Sequence, residues 1–444
     1  MKKLSIIALV LVVAMVFTGC HSGELKLYQA LEKMQEVTSM ESDTSISINI
    51  DFEGLPEEEA IRVDLIKDVV NSLVLNIHQR MIQNEDGTAS KARADINAAY
   101  SMLGMDADMD MSLWVDVDLS EDEMKLLEVF KLPPFLMNIL AMSGELNEED
   151  LYKEYIVYDV NELLETQGAN IDSEELMAFA FDFKDKLEEV IKSYKKNFNF
   201  ATPLVRYKGQ KLSYGERIDV YHLEISDKVL KDLLRYTVNY SLKDEKFLEL
   251  AKDYTDFILN TVEAKTDEEK LAKEQLERTL DLTDLDLEKF NAFMDTLEDV
   301  KILGDKGIFI EYGLGSDGYV LYEEGSINLE INLKGLGSGF AIKDVSVETK
   351  AGPDEIEKAE NNEDKEAIED VEIDEIVDEA EDIVIKLGID FSTKYYNLNG
   401  DVEIVFPEVN EENSINILDL MPDMEQVDEI GENELKKQQE NLLF

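Results

Sequence analysis

The sequence predicts an α+β protein built on a large, bent, largely antiparallel sheet. Three observations predict it. Residues 105–119 alternate without interruption, with Met105, Ala107, Met109, Met111, Leu113, Val115, Val117 and Leu119 on one parity and mostly aspartates on the other. At ~3.3 Å per residue that strand is on the order of 50 Å long, which suits a large bent sheet with a bulge. Strand-like and helix-like runs are also segregated along the chain instead of alternating as βαβ units.

In chain order, Lys2 and Lys3 precede a 14-residue run, Leu4 to Phe17, in which only Ser5 is polar. As a helix it spans about 21 Å, short of the ~30 Å of a bilayer core, so residues 1–19 read as a signal peptide. Cys20 is the sole cysteine, and Phe17-Thr18-Gly19-Cys20 resembles a bacterial lipobox with Phe17 in place of the usual leucine. The resemblance implies an N-terminal diacylglycerol-cysteine and a protein anchored at the extracytoplasmic face of the cell membrane. No later run approaches 18 apolar residues, so the lipid is the expected membrane attachment.

Residues 20–27 read as a tether and 28–351 as the sheet with inserted helices. Leu27, Leu31 and Met34 recur at helical spacing. Thr44, Ile46, Ile48, Ile50 and Phe52 alternate with Ser45, Ser47, Asn49 and Asp51 as a half-buried strand. Residues 57–71 look helical, and Leu73, Leu75, Ile77 and Met81 restore strand spacing up to an Asp86-Gly87 turn. Residues 121–142 read as a helix, a break at Pro133-Pro134 and a second apolar helix. Strands are expected at 155–160, 204–207 and 217–225, and helices at 173–196, 227–241, 245–262, 268–280 and 287–300. Further strands follow at 308–314, 319–322, 327–333 and 345–349. Residues 352–382 are acidic and free of aromatics, a solvated insertion. Residues 383–415 supply the final strands of the sheet, at 383–391 and 402–406, and 416–444 a polar tail.

Composition excludes several functions. With 43 Lys+Arg against 100 Asp+Glu, a net charge of -57 opposes phosphate backbones, so no nucleic-acid partner is expected. One cysteine excludes a disulfide scaffold and a cysteine metal cluster. His21, His78 and His222 lack metal-binding spacing, and no GxSxG, P-loop or helix-preceding GxGxxG is present. Gly335-Leu-Gly337-Ser-Gly339 reads as a flexible loop. Asp106, Asp108 and Asp110 mimic the start of an EF-hand, but Met111 and Val117 stand at positions six and twelve, so a wet strand face is the simpler reading. No catalytic residue, metal ligand or cofactor is predicted. Trp114, Tyr395 and Tyr396 read as buried or rim aromatics before carbohydrate platforms.

The stripe Met109, Met111, Leu113, Val115 and Val117 has two readings: core packed against helices, or a deformable methionine-rich lining for a ligand. In either case Asp108, Asp110, Asp116 and Asp118 are expected to face water.

The lipobox, the long amphipathic strands and the helices inserted between early and late strands together resemble LolA/LppX-like lipoprotein carriers, which implies a large curved antiparallel sheet, an unclosed half-barrel whose apolar concave face is covered by helices. The chain also resembles a group of membrane lipoproteins of anaerobic Gram-positive bacteria. The phrases that carry this are Trp114-Val-Asp-Val-Asp-Leu-Ser followed by Leu132-Pro-Pro, Lys153-Glu-Tyr-Ile-Val, and Phe406-Pro-Glu-Val-Asn-Glu-Glu-Asn-Ser414. The likeness spans most of 28–415. It implies a non-enzyme that binds an apolar ligand, a lipid or lipidated partner, in its concave face, and it carries over no binding residues. The acidic insertion and the long middle helical section depart from a minimal carrier. The alternative is a cell-envelope scaffold lipoprotein without a ligand cavity.

Overall fold

The computed structural model describes residues 22–420 apart from 56, 86, 103–104, 120–124, 143–149, 161–172, 214, 262–272, 274–286 and 333–382. Helix α1 (Ser22–Gln35) leads into β1 (Ser39–Glu53), α2 (Glu57–Ser72), β2 (Val74–Gln83), β3 (Ala89–Met102), β4 (Met105–Asp118), β5 (Lys125–Lys131), α3 (Pro134–Met142) and β6 (Tyr155–Asp159). A middle section carries α4 (Ser173–Asn197), the hairpin β7 (Val205–Ser213) and β8 (Glu216–Ile225), then α5 (Asp227–Ser241), α6 (Glu245–Thr261) and α7 (Leu287–Thr296). The chain returns to sheet in β9 (Leu303–Leu314), β10 (Val320–Asn332), β11 (Val384–Tyr396) and β12 (Ser414–Asn416).

These strands form one open 12-stranded sheet in the order β12-β6-β5-β4-β3-β2-β1-β11-β10-β9-β8-β7. Only the β12–β6 pair is parallel among them. The α+β class and the unclosed, helix-covered sheet are therefore as expected. The late strand β11 lies between β1 and β10, which joins the N-terminal and C-terminal strand groups into one surface.

Strand β4 pairs with β3 along its whole length, from Ala89 opposite Asp118 to Met102 opposite Met105, with no bulge. Bulges sit elsewhere, at Tyr207/Gly209 and where β9 meets β10. Because β2 begins late, the ends of β1 and β3 extend past it, and α2 satisfies them. Asn71 accepts from the Ile50 N–H at 2.6 Å and donates to its carbonyl at 3.1 Å, while the Ser72 hydroxyl accepts from the Ser101 N–H at 2.7 Å. Two side chains thus replace strand residues that β2 does not supply.

Several elements differ from expectation. The tether expected at 20–27 is already helical from Ser22, because Leu27 and Ala30 anchor α1 on the sheet and the helix extends back from them. Residues 125–131 form β5, not a helix. Leu127 and Val129 share one face with Trp114 while Phe130 packs beneath α3 on the other, and a strand covered on both faces reads as a continuous apolar run. Residues 89–102, for which the pattern predicts no element, form β3, whose alternation is muted by Ala92, Ala94 and Ala98. Residues 402–406 make no strand; they are part of a strap, residues 397–413, that runs from β11 to the far edge. The two short strands expected at 319–322 and 327–333 are one, β10, whose polar middle hides its continuity. Cys20, the helix at 268–280 apart from Lys273, the strand at 345–349, the Gly335 loop, the acidic insertion and residues 421–444 lie outside the described residues.

Helices seal one end of the apolar sheet face. Val190 of α4, Leu234 and Val238 of α5, Phe247 of α6 and Met294 of α7 pack on Ile225 and Leu303. Leu27 and Ala30 of α1 pack on Val205, Tyr221 and Tyr312. Leu233, 0% exposed, joins Tyr194, Phe198 and Leu204 in a third cluster; burying such a leucine contributes roughly 1.5–3 kcal/mol. Ser226 caps α5. Asp227 accepts from the N–H groups of Ile302 and Leu303, both at 2.8 Å, and pairs with the buried Lys231, which donates to the Val300 carbonyl at 2.6 Å. Burial opposes the Asp227 charge, but these donors prevail and hold its carboxyl below the usual range.

Candidate functional site

Cross-strand partners share a face, so the register sorts every residue of the sheet into one of two surfaces. On the apolar surface, one row runs Ile225, Ile308, Ile327, Ile389, Ile48 across five strands. A neighbouring row runs Thr393, Thr44, Ile77, Ile96, Met111. Met109, Met111, Leu113, Val115 and Val117 all belong to this surface, together with Ile46, Leu75 and the alanines of β3. The five are half-buried, and none belongs to the packed clusters that seal the sheet ends. Between the helix-covered end at β7–β10 and the cluster of Met137, Ile156 and Ile415 at the other edge, the apolar face of β1–β4 and β11 carries no packed cluster among the described residues.

Asp106, Asp108 and Asp110 lie in β4 on the opposite surface and are exposed. Asp116, expected in water, is instead 5% exposed; Lys125 reaches it at 2.6 Å and Lys91 at 3.3 Å. Trp114, two residues before it, is equally buried. Its indole N–H donates to the Val405 carbonyl at 2.9 Å, Arg93 stacks on its ring, and Lys91 lies over the ring of Phe406. The strap therefore roofs this part of the polar surface. It is fastened at its start by Asn399, in the left-handed region at φ 55°, whose side-chain oxygen accepts from the Thr38 N–H at 2.9 Å.

Beside the strap the polar surface holds a groove of about 670 Å³ across β11, β1, β2, β3 and β4. Two adjacent register rows form its floor. One is Asp43, His78, Asp95 and Ser112; the other is Ser392, Ser45, Asn76, Asn97 and Asp110. Thr44, Ile77, Ile96 and Met111 also line it, but their side chains belong to the other face, so they contribute backbone. His78 Nδ1 lies 2.9 Å from Asp43, and its Nε2 accepts from Arg80 at 3.1 Å, which makes Nδ1 the protonated nitrogen. Asp95 accepts from Arg93 at 2.7 Å and from Ser112 at 2.9 Å. Burial opposes the Asp95 charge, but those bonds and the Arg80 charge hold its carboxyl below the usual range. Burial and the neighbouring Asp43 carboxylate push the Tyr396 phenol up. Tyr395 points the other way and donates to Glu323 at 2.8 Å.

At the packed end the same polar surface carries His222, Glu311, Lys211 and Tyr322. Glu311 receives Lys211 at 2.6 Å, His222 at 2.7 Å and the Tyr322 hydroxyl at 2.7 Å. Burial opposes its charge, but these three bonds outweigh it and hold the carboxyl at about 2. Gly313 makes room for this, because a Cβ there would collide with the Tyr322 ring.

Sequence reasoning placed the methionine stripe but missed both polar clusters. The groove's signal was present as a polar parity in β1 to β4; which strands are neighbours was not. Among the described residues no group of three or more His, Cys, Asp or Glu side chains is arranged to hold a metal, and no helix is long and apolar enough to cross a membrane. Comparison with protein-family models, characterised proteins and solved structures finds no match.

Proposed function

We propose that this protein is a membrane-anchored, extracytoplasmic lipoprotein, non-enzymatic, that binds an apolar ligand, a lipid or lipidated partner, on the apolar face of a LolA/LppX-like sheet. The observation that carries this reading is the half-buried state of Met109, Met111, Leu113, Val115 and Val117, outside the packed clusters, on a face continuous with Ile46, Ile48 and Ile389. Contiguous apolar surface of this extent on a folded body marks a binding surface, and methionine adapts to chains of varied shape. The anchor is assigned to Cys20, where acylation with two or more chains holds a protein at the membrane. The filled core at β7–β10 supports the scaffold alternative for that end of the sheet alone.

The test is native mass spectrometry of the body from Ser22 onward, purified from its host, with titration of a fluorescent fatty-acid probe. Co-purified lipid and saturable probe binding that falls in Met111→Trp support the reading. A protein that binds no apolar probe is the scaffold. Separately, Cys20→Ser should leave the membrane fraction in detergent partitioning; unchanged retention would reject the anchor.

A further inference from the structure

We propose that the groove on the opposite, polar face is a second binding site, for a neutral polyhydroxylated ligand such as an oligosaccharide. The side chains that enter it from five strands all carry hydrogen-bonding groups, so it does not suit the apolar ligand of the other face.

Its donors and acceptors are of two kinds. His78 and Asn97 each bond one oxygen, of Asp43 and of Asp110 respectively, both at 2.9 Å; this orients the two carboxylates and leaves acceptor lone pairs on both for a ligand. Ser45, Asn76 and Ser392 make no side-chain hydrogen bond to another described residue, so they present hydroxyl and amide groups that both donate and accept. A sugar hydroxyl also donates and accepts, and successive members of each row, set about 4.8 Å apart by strand spacing, match a ligand with hydroxyls along its length.

Charge narrows the class. A net charge of -57 opposes an anion. Arg80 and Arg93 stand beside the floor and answer Asp95, which offsets part of the floor's negative charge. Tyr396 stands next to the floor, its hydroxyl 3.3 Å from His78, where its ring can pack against the apolar face of a sugar.

The experiment uses the full chain in lipid nanodiscs. Saturation-transfer NMR is recorded with a panel of neutral hexose and N-acetylhexosamine oligosaccharides, and with spermidine. At least one oligosaccharide should give transfer that saturates with concentration. Asn76→Ala and Asp110→Ala should each weaken it by about tenfold, roughly one to two hydrogen bonds. Asn76 is exposed and unbonded, so its replacement does not threaten the fold; circular dichroism checks both variants. The proposal is overturned if no oligosaccharide binds, if binding survives both replacements, or if only spermidine binds. Because fatty-acid binding is read on the other face, loss of one activity does not decide the other.

Discussion

The isoleucine row that crosses the sheet begins and ends in different surroundings. At β8, Ile225 is 3% exposed under four helices, whereas at β1 Ile48 is half-buried with no packed cluster of described residues above it. Both strands point their isoleucine to the same face. What separates them is where the middle helical section docks. Alternation therefore identifies the face a residue takes, and helix placement decides whether that face becomes core or surface.

Mutations at the two ends should separate most clearly in stability. Leu233→Ala should lower unfolding free energy by about 2–5 kcal/mol in a denaturant titration, as expected for a fully buried leucine. Met111→Ala should cost about 1 kcal/mol or less, and Met111→Trp should leave the midpoint unchanged, where a filled core would lose ~1–3 kcal/mol by overpacking. Equal losses at Leu233 and Met111 would erase the contrast between the two ends.

Titration should distinguish them next. Glu311 is held at about 2 against its ordinary 4.5, so its contribution is complete above pH 4.5 and is lost as pH falls towards 2. Glu311→Gln should cost about 1.5–3 kcal/mol at neutral pH and flatten the acid limb of the stability profile. Glu323, raised by burial at the border of the α1 cluster, has the opposite sign: its favourable state is the protonated one, and stability is lost as pH rises through its raised value. Glu323→Gln should therefore raise the midpoint at pH 7.

The connection between β10 and β11 should matter less. Asn332 and Val384 are register partners, so the residues between them leave and re-enter the sheet at adjacent points. Replacing 333–383 with a short turn should shift stability by about 2 kcal/mol, in favour of folding, through the smaller closure entropy. Loss of cooperative unfolding would show that the segment belongs to the core. A smaller effect than at this connection is expected at the strap: Trp114→Phe removes the bond to Val405 and should cost about 1 kcal/mol. Since Trp114 is the only tryptophan, its fluorescence in the unmodified protein should report loosening of the strap before the packed end unfolds.

Much of the fold is legible in the residue pattern. The bounds of α5 and the alternation of β1 and β4 follow from it, because amphipathic helices and half-buried strands have distinct periods. Strand β5 reads as a helix because both its faces are covered, and β3 is hidden because alanines weaken the contrast between its faces. Of the candidate sites, the apolar stripe is visible within one strand. The polar groove is not, since Asp43, Asn76, Asp95 and Asp110 meet only through pairing between separate strands.

The sequence by itself determined which side chains share a face, since a strand's two-residue period is a property of its own backbone. It also determined the class and the acidic character. Only the tertiary structure decided that β11 enters between β1 and β10, that helices cover one end of the apolar face, and that the strap buries Trp114 and Asp116. Those outcomes depend on contacts between distant segments, whose free energies come from mutual burial and pairing and are not written into any local stretch of chain.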